Sequence, residues 1–159
     1  MSPEVPLAYA AVAAIPDPEI PVISIEDLGV LRSVEVENGE KVVVTITPTY
    51  SGCPALDVIR NQIETTLACH GFTEVEVRTV LRPAWTTDAI TKHGRQRLAA
   101  FGIAPPRPRS DPPLLQLAVT CPRCGSASTR LVSRFGSTAC KAHRICLDCD
   151  EPFDHFKEL

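Results

Sequence analysis

The sequence predicts an α+β fold, a small α-β-β-α-β-α domain followed by a short cysteine-rich ribbon. Three observations predict it. Two β-branched runs, Leu31 to Val36 and Lys41 to Thr47, flank Asn38-Gly39, a pair that tolerates positive φ at both positions, so residues 31 to 47 read as a hairpin. Leu56, Ile59, Ile63 and Leu67 then recur at helical spacing. Late in the chain stand two C-x-x-C pairs, Cys121/Cys124 and Cys146/Cys149, with 21 residues between them.

The remaining elements follow in order. Leu7 to Ile15 is Ala-rich and unbroken, a short helix ended by Pro16 and Pro18, with its apolar face on the sheet. After Pro48, Ser51-Gly52-Cys53-Pro54 sets a proline at the first helical position behind capping residues, and this second helix is expected to end at Gly71. Glu74 to Leu81 alternates as a third strand. Thr87 is the expected cap of a last helix reaching Phe101, with Ile90, Arg97, Leu98 and Phe101 on one face. Ala104 to Pro113 holds five prolines and favours extended backbone over packing. The expected organisation is a domain over residues 1–103, a linker over 104–117 and a ribbon over 118–159.

With 159 residues, 44% hydrophobic and 22% charged, the chain has the composition of a folded protein with one ordinary core and a satellite. No apolar run reaches the roughly 20 residues that cross a bilayer, and Glu4 stands where a leader would carry basic residues, so a cytoplasmic protein without membrane contact is expected. Residues 1 to 103 hold 8 basic and 13 acidic side chains, and residues 104 to 159 hold 8 and 6, which makes the second part mildly basic.

Seven cysteines, an odd number with four in paired C-x-x-C units, point to metal rather than disulfides. In Cys121-Pro122-Arg123-Cys124-Gly125, two residues between thiolates let backbone amides turn toward sulfur, and Gly125 relieves the turn. Cys146-Leu147-Asp148-Cys149 repeats the spacing, so the four cysteines complete a tetrahedral, closed and hence structural site, for Zn²⁺ ahead of a rubredoxin-type iron because no redox-partner features appear. Residues 118 to 156 offer few core candidates (Leu131, Val132, Phe135, Phe153, Phe156), and so small a domain needs a metal. Cys140 and His143 share the three-residue spacing and compete as ligands; Cys140 is better placed in the ribbon's core.

Cys53 precedes a helix whose macrodipole and open amides favour an anion, which suits a redox or metal-binding thiol; a small residue filling a tight turn is the alternative. Asp17-Pro18-Glu19 places two carboxylates beside a rigid turn, to cap it or to serve the loop carrying Cys53. Cys69 is expected to be buried, and Trp85 is either a core plug or a partner anchor. No E-x-x-H pair, phosphate-binding glycine loop or G-x-S-x-G elbow is present, so a non-catalytic role is expected.

Asp17-Pro18-Glu19-Ile20-Pro21-Val22, Asp27-Leu28-Gly29-Val30, Thr45-Ile46-Thr47 leading to Gly52-Cys53-Pro54, and Pro83-Ala84-Trp85-Thr86 together resemble the domain of iron-sulfur assembly factors such as SufT, over residues 7 to 103. With a ribbon carrying Phe135-Gly136-Ser137-Thr138-Ala139-Cys140-Lys141 and Glu151-Pro152-Phe153-Asp154, the whole chain resembles the PaaD family, the D subunits associated with bacterial phenylacetyl-CoA epoxidase. The chain departs from the expected pattern at Ala142-His143-Arg144 and at Phe156-Lys157-Glu158-Leu159, which lacks the terminal cysteine expected in some relatives. The resemblance implies an accessory role in aerobic phenylacetate breakdown. It implies help in maturing an iron-sulfur cluster or iron for protein subunits of that system, especially the iron-sulfur reductase, with Cys53 as the reactive cysteine; Asp17 and Glu19 join it as candidate cluster- or iron-handling residues because their rigid turn can serve the loop carrying Cys53. Two other classes stay open. One is a zinc-ribbon adaptor for protein or nucleic acid using Arg123, Arg130, Arg134, Lys141 and Arg144, with nucleic acid the less expected partner; the other is a thiol enzyme built on Cys53, with His70 or His93 as base.

Overall fold

The structure is a computed structural model and describes residues 4–50, 52–110 and 118–158. The chain forms two compact units, Met1–Thr91 and Lys92–Leu159.

In the first unit, α1 (Glu4–Ala13) starts earlier than expected, taking Pro6 into its first turn. A proline is harmless there because the amide it lacks has no partner in that turn. The hairpin forms as read: β1 (Leu31–Glu37) runs antiparallel to β2 (Lys41–Ile46), and Asn38 and Gly39 take φ of 55° and 79°. Strand β2 pairs in parallel with β3 (Glu74–Thr79), which requires a crossover, supplied by α2 (Ala55–Cys69). Pro54 sits one position before the helix, as its N-cap. At the other end Gly71, at φ 89°, donates to Ala68 O while Phe72 donates to Leu67 O, a glycine-closed helix end. The core gathers Val12, Ile23, Ile25, Ile46, Ile63 and Leu67, all essentially inaccessible, with Val42, Val43 and Val44 consecutive and buried on β2.

Beyond β3 the expected helix from Thr87 does not form at once. Thr87–Ala89 makes a single 3-10 turn, and Ile90 is extended and buried. The Thr91 amide donates to Asp27 O at 2.9 Å, so the chain is tied to a neighbouring turn before it can coil. The helix, α3 (Lys92–Ala100), therefore begins later.

In the second unit α3 precedes a four-stranded sheet in the order β4-β7-β6-β5, built from β4 (Ile103–Ala104), β5 (Thr129–Ser133), β6 (Lys141–Cys146) and β7 (Pro152–Phe156). The unit boundary at Thr91/Lys92 lies ahead of the one read at residue 103. Ala104, read as the start of the linker, is a strand residue paired with His155. The segment after it is partly tied down, since Arg95 donates to Pro106 O and the Arg107 amide to a Glu158 carboxylate oxygen. Residues 111–117 of the expected linker lie outside the described residues. Leu98 is fully buried, whereas Arg97 and Phe101, expected on the same apolar face, are exposed.

Candidate metal centre and the Cys53 loop

The two knuckles of the ribbon are built alike. The Cys121 amide donates to Ser126 O and the Cys146 amide to Glu151 O, each closing a turn around its C-x-x-C pair. The residue after each second cysteine, Gly125 or Asp150, takes positive φ, 77° and 59° respectively. Backbone amides face sulfur at corresponding positions: Ser126 toward Cys124, Glu151 toward Cys149, and Asp148 and Cys149 toward Cys146. Arg123 of the first knuckle pairs with Glu151 beside the second at 2.5 Å, and the Ser126 hydroxyl bonds Asp148 across the same gap.

This places the four sulfurs within 4.8 Å of one another. Cys121 and Cys149 are 3.8 Å apart and Cys124 and Cys146 3.6 Å. Sulfurs about 2.3 Å from a tetrahedral zinc are about 3.8 Å from each other, whereas a disulfide needs about 2.05 Å. The donor set therefore fits zinc. Its electrostatics call for a cation too. Burial pushes the Cys146 thiol up, but the Cys149 and Asp148 amides and its thiol neighbours outweigh burial and bring it down to about 7. Cys149 receives a hydrogen bond from the Glu151 amide, yet burial and the three other sulfurs push it up to about 12. Thiols this close cannot all ionise unless positive charge sits among them.

The competing ligands are placed elsewhere. Cys140 is buried with its sulfur 3.0 Å from the Thr138 hydroxyl, as core packing requires, and His143 Nδ1 lies 3.3 Å from an Asp154 carboxylate oxygen. Of the expected ribbon core, Phe153 and Phe156 are buried, but Leu131, Val132 and Phe135 are exposed, and the buried cluster around Phe153 is instead completed by Ala104, Val119 and the cysteines Cys121, Cys146 and Cys149.

In the first unit the register sets where the loops emerge. Leu31 opens β1 opposite Ile46, which closes β2 opposite Thr79 at the end of β3, so the loops before β1, after β2 and after β3 leave one end of the sheet. These are the loops carrying Asp17 and Glu19, Cys53, and Trp85. The segment Asp27 to Gly29 is clasped by residues 85–91. Trp85 Nε1 donates to Leu28 O at 2.9 Å, the Thr91 hydroxyl donates to Asp27 Oδ1 at 2.6 Å, and a Cβ on Gly29 would meet Ala89 at 2.6 Å. Trp85 is thus a core plug. Asp17 is buried, and its Oδ1 accepts the amides of Glu19 and Ile20, both at 2.9 Å, so this carboxylate caps its own turn.

Cys53 is half-buried immediately ahead of α2 and closes a turn by donating its amide to Tyr50 O, with Gly52 at φ 80°. Cys121, Cys124, Cys146 and Cys149 form the one group of three or more potential metal ligands among the described residues, and Cys53 is not in it. Cys69, expected to be buried, is exposed near the end of α2.

Comparison with known proteins follows this division. Residues 105–157 match the family described as PaaD zinc beta ribbon domain, and residues 8–79 match the family described as iron-sulfur cluster assembly protein. A protein of Escherichia coli (strain K12), provisionally named as the D subunit of 1,2-phenylacetyl-CoA epoxidase, is 50% identical over 155 residues, covering 98% of this chain and 93% of its own length. The chain belongs to the PaaD family. The Fe-S protein maturation auxiliary factor SufT of Staphylococcus aureus (strain USA300) is 34% identical over 89 residues, 55% of this chain and 97% of its own. A solved domain of unknown function, DUF59, from Bacillus anthracis superposes with a TM-score of 0.55 at 27% identity, covering 59% of this chain and 90% of that one. The chain thus matches an assembly-type domain family in its first part and the PaaD zinc ribbon family in its second. Among the described residues no helix is long and apolar enough to cross a membrane.

Proposed function

We propose that the chain is a non-catalytic accessory subunit of a phenylacetyl-CoA epoxidase system in the cytoplasmic breakdown of phenylacetate, and that it assists iron-sulfur or iron maturation of its partner subunits, the iron-sulfur reductase foremost. The observation that carries this is the union, in one chain, of an assembly-type domain with the PaaD ribbon, at 50% identity to a D subunit along nearly its whole length. Zinc held by Cys121, Cys124, Cys146 and Cys149 is structural, since four thiolates saturate it and leave no open position. Cys53 is the handling residue. It offers one thiolate, so the other ligands of a cluster or iron held there come from the client or a small thiol. Glu19 stands on the turn that Asp17 caps, at the same end of the sheet, which supports a role for both in shaping the loop around Cys53.

Zinc, iron and acid-labile sulfide measured after anaerobic purification, in the wild type and in Cys53→Ser, test this reading. One zinc per chain in both proteins, with iron and sulfide confined to the wild type, is the expected result. Zinc alone in both would overturn cluster handling and leave a ribbon adaptor.

A further inference from the structure

Strand β5 and the turn just after it leave apolar side chains outside the ribbon's core. Leu131, Val132 and Phe135 are 41%, 51% and 67% exposed. Among the described strands β5 pairs only with β6 and is the outermost of its sheet, with a bulge between Leu131 and Ser133 that sets Val132 outside the register. Within the two strands and the turn that joins them, formal charge has one sign, and the nearest acid, Asp154 of β7, is engaged with Ser137, Lys141 and His143. From Thr129 to Leu147 there is no acidic residue. Arg130 and Arg134 are exposed, and their guanidinium groups hold no ion pair among the described residues. The Lys157 ammonium sits 4.6 Å from the centre of the Phe135 ring and donates to Arg134 O. Arg144, directly across the ladder from Leu131, is partly buried with its Nε unpartnered. Of the basic residues expected to be available, Lys141 is instead buried against Asp154, and Arg123 is committed to Glu151.

We propose that the β5 edge is a docking surface for an acidic segment of a protein partner. The partner's aliphatic side chains cover Leu131, Val132 and Phe135, and its carboxylates meet Arg130 and Arg134. Charge complementarity selects this occupant over the others. In a two-fold antiparallel pairing of β5 with a second copy about Val132, Arg130 would stand opposite Arg134, and like charges directly opposed destabilise such a pair. A nucleic acid would leave Leu131 and Val132 without an apolar partner. A bulged edge flanked by arginines resists self-pairing, which leaves it open to a partner of opposite charge. The surface does not involve Cys53, so it stands or falls independently of cluster handling.

The test uses the zinc-loaded full chain, labelled with nitrogen-15 and titrated with a synthetic twelve-residue peptide alternating Asp or Glu with Leu or Val. The comparison probes are a Lys-for-acid version of the peptide, poly-glutamate of equal charge and a short DNA duplex. Binding of the acidic apolar peptide, with amide shifts confined to residues 129–135 and 143–147, is the expected result. In Arg130→Glu/Arg134→Glu, confirmed to hold one zinc, its affinity should drop by about tenfold or more, the scale expected when two complementary charges become repulsive. Absence of shifts at millimolar peptide, equal binding of poly-glutamate, DNA binding at the same amides, or a concentration-dependent dimer whose contacts map to Val132 would each overturn it. If the double variant does not keep its zinc, the wild-type amide map and the ranking of the four probes decide alone.

Discussion

The unit spanning Met1–Thr91 closes around fully buried Val12, Ile25, Ile46, Ile63 and Leu67, and its polar contacts, such as Trp85 to Leu28, tie loops onto a core that already exists. The ribbon's central cluster is Ala104, Val119, Phe153 and the sulfurs of Cys121, Cys146 and Cys149, so thiols occupy the place that large aliphatics fill in the first unit. The first arrangement draws on burial of apolar area, the second on a metal that exists only when four thiolates converge. The difference explains why the ribbon can spare Leu131, Val132 and Phe135 for its surface, while the described strands of the first unit expose no large apolar side chain.

Breaking the metal site should have the largest effect. Cys146→Ser removes a fully buried ligand, and with it binding energy on the order of 10 kcal/mol or more of the kind that folds small zinc domains. The expected readout is less than one zinc per chain and collapse of amide dispersion over residues 118–158, with the emission of Trp85, the single tryptophan, unchanged. Leu67→Ala does the converse. It opens a cavity in the first unit, costs about 2–5 kcal/mol in chemical denaturation followed by Trp85 emission, and leaves zinc stoichiometry intact. Trp85→Phe should cost about 1–3 kcal/mol in the same unit, because Leu28 O is left without its buried donor.

Two smaller effects sharpen the contrast. Asp150 holds φ of 59° where the other knuckle uses Gly125, so Asp150→Gly is expected to leave zinc affinity unchanged or slightly higher, whereas Asp150→Val lowers it. Glu76 on β3 pairs with Arg78 and Lys41, which hold its carboxyl down to about 2. Its folded value lies below the unfolded one, so its contribution is complete above about pH 4.5 and is lost as pH falls toward 2. The network is exposed, and Glu76→Gln should therefore shift the acid transition only slightly, and not at all in high salt.

Much of this was legible in the residues. Asn38-Gly39 marks the hairpin because its φ values exclude most other pairs, and the two C-x-x-C units mark the ribbon because their spacing shapes a knuckle by itself. The misreadings came from interactions that span the chain. The helix expected from Thr87 yields to a bond between Thr91 and Asp27, a turn far earlier in the sequence. The exposure of Leu131, Val132, Phe135 and Cys69 depends on what packs against each, which periodicity does not encode. At the candidate site, Cys53 was visible as a cysteine beside a helix start. The gathering of its loop with those of Asp17 and Trp85 at one end of the sheet follows only from the parallel register of β2 and β3.

Chelation of the purified full-length protein is the most direct test of the contrast between the units, with zinc release, Trp85 emission and the amide spectrum followed together. The account predicts that one zinc leaves per chain, that amides of residues 118–158 collapse, and that Trp85 and the amides of the first unit stay as they were. A ribbon that keeps its dispersion without zinc, or a Trp85 signal that moves in step with zinc loss, would contradict it.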